Sequence, residues 1–286
     1  MREIVLAVSR KVCPASQTAL QLAEKSRLVP RALRIGDAAI DGMLRGGFRV
    51  GAITEIVGQA GMGKTQLCLG LAVTATLPES AGGSAGRALY IDTESRFSTT
   101  RMLEMAANKY PDSFGTETEA DALAKSVLVI RPRSCAELMA HLSGLQSFII
   151  EHSIKCIVVD SIASLPRSEF SNEFIIERQE MLGRQAVALK AVAEAFSIPV
   201  VVTNQVTTRI VRDEAGDFSH LTAALGTKWS HCVNTRITLH QPHEDGTSSR
   251  SEASMSIACD DKKLATIVAC ERLDYCICAD SIYRSA

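Results

Sequence analysis

An α/β fold, with a mostly parallel central sheet and helices on both of its faces, is predicted by two features of this 286-residue chain. Short β-branched runs alternate with longer segments whose apolar residues recur at helical spacing, an order that builds parallel strands joined by crossover helices. From Asn234 onward the pattern changes to strands alone, which predicts an antiparallel extension of the sheet. The elements follow in order. Residues 1–30 read as a helical or extended lead-in broken by Pro14 and Pro30. Strands are expected at Ala52–Val57, Ala88–Asp92, Val127–Arg131, Cys156–Asp160 and Pro199–Thr203. Helices are expected at Lys64–Thr74, Thr99–Lys109, Cys135–His152 and Glu177–Phe196. The final strands are expected at Arg236–His240, Ala253–Cys259 and Leu264–Ala269. Ser80–Gly86 and Gly246–Ser251 read as flexible loops, and no internal repeat is visible.

Composition removes several function classes. Hydrophobic residues make up 46% and charged residues 22%, close to a globular average, so neither disorder nor membrane insertion is suggested. No apolar stretch reaches the roughly 20 residues of a transmembrane helix. The opening MREIVLAVSRKVCP lacks the layout of a secretory signal, and an intracellular location is expected. The nine cysteines are scattered, and Cys68, Cys156 and Cys270 sit inside apolar patterns, as buried thiols of a reducing compartment do. Cys270, Cys276 and Cys278 lack paired knuckles and a nearby histidine, so a zinc site is not expected. A net charge of −1 supplies no global field to attract nucleic acid, and any DNA contact must come from local loops.

The strongest chemical signal is Gly58-Gln59-Ala60-Gly61-Met62-Gly63-Lys64-Thr65, a P-loop pattern placed after a strand and at a helix start. Its glycines let backbone N–H groups turn toward phosphates, the helix N-terminus adds partial positive charge, and Lys64 adds a full one. Thr65 offers a hydroxyl to magnesium. Ile157-Val158-Val159-Asp160 is an apolar strand ending in the carboxylate that such a site needs to orient the metal. Between the two motifs lies Tyr90-Ile91-Asp92-Thr93-Glu94. A simple nucleotide kinase does not need that additional carboxylate, whereas an ATPase can use Glu94 to polarise the attacking water. Trp229, the single tryptophan, reads as a packing residue.

In order along the chain, GQAGMGKTQL, YIDTES, IVVDSIASL and PVVVTNQVTT resemble the ATPase core of the RecA and Rad recombinase superfamily, from about Ala32 to His240. VSRKVCPASQTA, TLPESAGG, DTESRFS, RSEF and AALGTKWSHCVNTR are similar to segments of its B-paralogue branch. The resemblance implies a RecA-like P-loop NTPase core that binds ATP and Mg2+, with Gln66 completing the ATP loop and Arg101 stacking on adenine. It makes Glu94 and Lys64 catalytic, with Gln205 as a γ-phosphate sensor, and assigns the metal to Thr65 and Asp160. It also implies two DNA-binding loops. The first runs from Ser164 to about Ile176 with Arg167, Ser168 and Asn172, and the second from about Val206 to Ala224 with Thr207, Thr208, Arg209 and Arg212.

By the same resemblance, residues 1–31 are an N-terminal linker without the helical domain that precedes it in relatives, and 32–286 are the core with a divergent tail. Ser16 occupies the position of the linker phenylalanine that family polymerisation uses, and Ile257–Lys263 stands where relatives cap the neighbour's ATP. The implied function is a DNA-dependent ATPase subunit assisting homologous recombination and double-strand break repair in the nucleus. Its implied partners are other paralogue subunits, the main strand-exchange recombinase and single-stranded or branched DNA, with no membrane. The alternative is an ATP-switched scaffold subunit with little hydrolysis.

Overall fold

The computed structural model of the chain describes residues 18–21, 24, 32–213, 216–223, 225, 229–240, 254–259 and 263–267, and for 206–223, 254–259 and 263–267 it describes backbone pairing. Two units divide between Arg31 and Ala32. In the first, Thr18 N–H donates to Gln21 Oε1 at 2.9 Å and Gln21 N–H to Thr18 Oγ1 at 3.2 Å, the reciprocal pattern of a helix start.

The second unit opens with β1 (Ala32–Leu33) and β2 (Phe48–Arg49), a small antiparallel ribbon, with α1 (Ala38–Met43) between them. The chain then alternates β3 (Ile53–Gly58), α2 (Lys64–Thr76), β4 (Arg87–Asp92), α3 (Thr99–Lys109), α4 (Pro111–Phe114), α5 (Glu117–Ser126) and β5 (Val127–Ile130). It continues through α6 (Cys135–Ser143), α7 (Leu145–His152), β6 (Ile154–Asp160), α8 (Ser164–Glu169), α9 (Ile175–Phe196), β7 (Val200–Asp213), β8 (Gly216–Ala223), β9 (Thr235–His240), β10 (Ser254–Cys259) and β11 (Lys263–Ile267). The main sheet has the order β11-β10-β9-β3-β7-β6-β4-β5, with β8 paired to β7 alone. From β9 to β5 all neighbours are parallel.

Both faces of the central strands β3, β4 and β6 and of Val200–Asn204 in β7 are buried, and the alternation of a strand sorts each residue to one of them. Tyr90, Cys156, Val158, Val201 and Ile237 pack with Leu67–Val73 of α2, Met102 of α3 and Leu123 of α5. Leu89, Ile91, Ile157, Val159, Val200 and Val202 pack on the other face with α6, α7 and Leu182, Leu189 and Val192 of α9. Residues Leu67–Ala75 of α2 are all buried, so this helix has no solvent stripe and is wedged against the sheet. Cys68, Cys135 and Cys156 are buried free thiols. Burial pushes Cys156 up to about 12, and burial with Glu169 nearby does the same for Cys135, so neither is a nucleophile. Cys270, Cys276 and Cys278 lie outside the described residues.

Three expectations need correction. Of the three final strands, β9 runs parallel to β3, with Glu55 opposite Arg236, and the antiparallel extension is made by β10 and β11. A run of strands does not reveal direction when a long excursion, rather than a hairpin, leads into the next strand. The helix expected at Cys135–His152 is two helices, α6 and α7, meeting at Gly144, whose φ and ψ of −91° and 1° are not helical. Pro111–Phe114 and Glu117–Ser126 are helical where no element was expected; Thr116 and Glu119 form a capping box at the start of α5, and that spacing is visible in the sequence. No helix among the described residues is long and apolar enough to cross a membrane.

Gly46 and Gly47, with φ of +116° and +119°, turn the chain from α1 into β2. A Cβ on Gly47 would lie 2.4 Å from the carbonyl oxygen of Leu33, whereas one on Gly46 meets nothing within 4 Å. Both alanine variants carry backbone strain of about 1–3 kcal/mol, but only Gly47→Ala also pushes β1 away from β2. In urea denaturation Gly47→Ala should lose at least about 1 kcal/mol more than Gly46→Ala.

Candidate nucleotide site

β3, β4, β6 and β7 end or pass at one edge of the sheet, where Gly58 is level with Gln205 and Asp92 with Asp160. The turn from β3 into α2 passes through Gly61 and Gly63, with φ of +83° and +82°, a left-handed conformation that a side chain disfavours. Gln59, Ala60 and Gly61 are exposed, so the loop mouth is open to solvent. Lys64 folds back over the loop, its Nζ donating to the carbonyls of Gly58 at 2.8 Å and Gln59 at 2.7 Å. Burial lowers the Lys64 pKa, and the carboxylates of Asp160 and Glu94 oppose that shift.

Asp160 is the junction of three elements. Its Oδ2 accepts the hydroxyls of Thr65 from α2 and Tyr90 from β4, both at 2.8 Å, and its Oδ1 accepts the hydroxyl of Thr203 from β7. Strand parity explains this convergence: Tyr90, Asp160 and Thr203 all face α2. Burial and the neighbouring Cys68 and Asp160 push the Tyr90 phenol well up, so it remains a hydroxyl donor.

Glu94 lies beyond the end of β4. Its Oε1 accepts Ser161 Oγ at 2.8 Å and Gln205 Nε2 at 3.3 Å, and its Oε2 pairs with Arg96 Nε at 3.2 Å. Gln205 Oε1 in turn accepts from Arg167 Nη1 at 3.1 Å. Beneath Glu94, buried Asp92 accepts the N–H groups of Arg96 and Phe97 at 3.0 and 3.1 Å and pairs with Arg131 at 3.1 Å, which holds the turn in place. Arg101, at the start of α3, donates from Nε to Gln66 Oε1 at 3.1 Å and from Nη1 to Glu104 at 3.1 Å. The structure thus brings Lys64, Thr65, Asp160, Glu94 and Gln205 to one place, with Arg101 beside Gln66 on the adjoining helix.

The two expected DNA loops are not irregular. Ser164–Glu169 is helical, Asn172–Phe174 is a 3-10 turn, and Ile175 begins α9. Arg167 is turned to Gln205, and Ser168 Oγ donates to Leu165 O at 2.9 Å. The second stretch is a β-hairpin, with Val206 opposite Ala223 and Asp213 opposite Gly216. Thr207, Thr208, Arg209 and Arg212 lie on its first strand, opposite Thr222, Leu221, His220 and Asp217. The β-branched run VTTRIV favours pairing over a loop.

Sequence reasoning missed a second polar cluster on the opposite face. Glu55 is fully buried; its Oε1 accepts Asn204 Nδ2 at 2.7 Å and Trp229 Nε1 at 2.8 Å, and its Oε2 accepts Arg236 Nε at 2.6 Å. A charged residue inside the apolar run Ile53–Gly58 is the signal that could have found it, because a buried carboxylate requires partners. Trp229 is packed in the core as expected.

The described residues contain no group of three or more His, Cys, Asp or Glu side chains placed to hold a metal. Thr65 and Asp160 instead form an all-oxygen pair beside the solvent-open Gly58–Gly63 loop. That donor set suits magnesium, which retains waters and takes further ligands from phosphate.

The Rad51 family model matches residues 25–259, spanning all of this site. The chain belongs to the Rad51 family. It is 38% identical over 262 residues to DNA repair protein RAD51 homolog 2 of Mus musculus, covering 84% of this chain and 75% of that protein. With the Arabidopsis thaliana protein of the same name it is 35% identical over 264 residues, covering 84% and 70%. DNA repair and recombination protein RadA of Metallosphaera sedula is 38% identical over 195 residues, 68% of this chain and 58% of RadA. The resemblance to the RecA and Rad recombinases, and within them to the B-paralogue branch, is thus borne out.

The buried hydroxyl of Thr203 provides a test of the Asp160 junction. Thr203→Val keeps the shape but deprives a buried carboxylate of one donor. In urea denaturation of the unligated protein it should lower stability by about 1.5–3 kcal/mol, the range for a hydrogen bond to a charged group.

Proposed function

We propose that this chain is an ATP-binding, DNA-dependent ATPase subunit that assists homologous recombination and double-strand break repair as a recombinase paralogue. The observation that carries the reading is the convergence of Thr65 on Asp160 at 2.8 Å and of Gln205 on Glu94 at 3.3 Å at the loop edge of the sheet. The first pair would hold magnesium, and the Gly58–Thr65 loop with Lys64 and Gln66 would hold the phosphates. Magnesium-bound ATP supplies the phosphoryl bond to be cleaved. Glu94, half-buried and oriented by Ser161 and Gln205, is an acceptor that can polarise the attacking water. Gln205, with an uncharged amide at the root of the β7–β8 hairpin, can exchange its bond to Glu94 for one to the γ-phosphate. That exchange would link the nucleotide state to a hairpin carrying Arg209 and Arg212.

The names of the relatives, DNA repair protein and DNA repair and recombination protein, support the same process for this chain. Work on nuclear DNA alongside other paralogue subunits and the main strand-exchange recombinase follows from that reading.

Lys64→Ala removes the loop cation together with a desolvated amine. The unligated variant should melt no lower than wild type, while the stabilisation by excess Mg-ATP, about 2.7 kcal/mol at a hundred times the dissociation constant, should vanish. Steady-state ATP hydrolysis with and without single-stranded DNA, at low and moderate salt, tests the motor itself. DNA should stimulate turnover, and Glu94→Gln should reduce it by about 100-fold or more. Tight ATP binding without turnover would instead support the scaffold reading.

A further inference from the structure

The Glu55 cluster lies on the sheet face opposite the nucleotide edge, and the geometry points to a positioning role for it. Asn204 and Gln205 are consecutive residues of β7, so their side chains leave opposite faces of the sheet. Gln205 reaches Glu94 on the loop side, and Asn204 reaches Glu55 on the α9 side. The Asn204 amide is held at one end only: its Nδ2 donates to Glu55 at 2.7 Å, while its buried Oδ1 has no hydrogen-bond partner among the described residues. Pairing with β3 sets the β7 backbone here, and the carboxylate adds a side-chain tether at Asn204, next to Gln205. The same carboxylate accepts Trp229 Nε1 and Arg236 Nε, and Arg236 also donates to Ser230 Oγ at 3.2 Å. Trp229 and Arg236 belong to the segment by which the chain returns to the sheet after the β7–β8 hairpin. One buried carboxylate thus grips the chain just before the hairpin and again just after it.

We propose that Glu55 is a positioning residue that, through Asn204, fixes Gln205 and couples its displacement by nucleotide to the return segment at Trp229. This rests on the nucleotide reading above and adds a route that crosses the sheet rather than following the hairpin. Coupling of this kind requires a connected element that both sites bias, and the four hydrogen-bonded residues Glu55, Asn204, Trp229 and Arg236 supply one.

Trp229 is the only tryptophan, and its indole N–H is part of the cluster, so its emission reports the proposed movement directly. The probe is the non-hydrolysable analogue AMP-PNP with magnesium, titrated into the full chain, with binding measured in parallel by calorimetry. In wild type the emission should shift saturably, with the same midpoint as binding. In Asn204→Ala, binding should stay within about threefold of wild type while the emission change falls to less than about a fifth. An undiminished shift in that variant, or wild-type binding with unmoved emission, overturns the proposal. Gln205→Ala, which alters a half-buried side chain and spares the cluster, carries the test if Asn204→Ala does not fold. At saturating analogue its emission change should also be lost, and a full change overturns the coupling. Absence of binding by wild type would overturn the nucleotide reading itself, an outcome that calorimetry distinguishes from failure of the coupling alone.

Discussion

Burial of both faces of the central parallel strands is the constraint from which the rest of the arrangement follows. A strand covered on one side by α2 and α3 and on the other by α6 and α9 offers an unpaired polar group no water, so such a group carries a cost, as the buried Oδ1 of Asn204 does. Polar chemistry therefore gathers at the edge where the strands end, or is drawn into hydrogen-bonded clusters where it enters the interior. Asp160 and Glu94 illustrate the first case and Glu55 the second. Asp160 is tolerated because three hydroxyls converge on it, and each comes from a different element, so its satisfaction also registers α2, β4 and β7 against β6.

The Glu55 cluster is harder to account for by stability alone. Buried ion pairs are often no more stable than apolar residues of the same volume, whereas removing one partner costs about 3–5 kcal/mol. Holding Arg236 level with Glu55, at 2.6 Å, therefore adds little net stability yet strongly penalises any other register of β9. In a sheet where β9 begins at Thr235, well past the end of β8 at Ala223, and pairs with β3 rather than with β8, that penalty is a physical use for the pair.

The two clusters stand on opposite faces and share β7. This strand supplies Thr203 to Asp160, Asn204 to Glu55 and Gln205 to Glu94 in three consecutive residues. β7 then leaves the sheet to pair with β8 alone, so its inner half is clamped from both faces while its outer half has one neighbour. A strand of that kind has neighbours on both sides at the edge that carries Gln205 and a single one beyond it, which suits an element that relays a local change outward.

Much of the candidate site was legible in the sequence because it depends on local chemistry. The glycine spacing before Lys64, the apolar run ending in Asp160 and the carboxylate at Glu94 each act through their own backbone or strand end, and short-range pattern is enough to find them. Helix positions such as Thr99–Lys109 were legible for the same reason, since apolar periodicity needs no knowledge of neighbours. The Gln205–Arg167 contact, the direction of β9 and the Glu55 cluster were not. Glu55 and Arg236 are 181 positions apart, and no local rule states that two such residues will lie side by side. The sequence by itself determined which reactive groups the chain carries and the class of sheet that displays them. Only the tertiary structure decided which polar groups meet across strands, because those contacts depend on strand order and register, which are set by packing over the whole sheet.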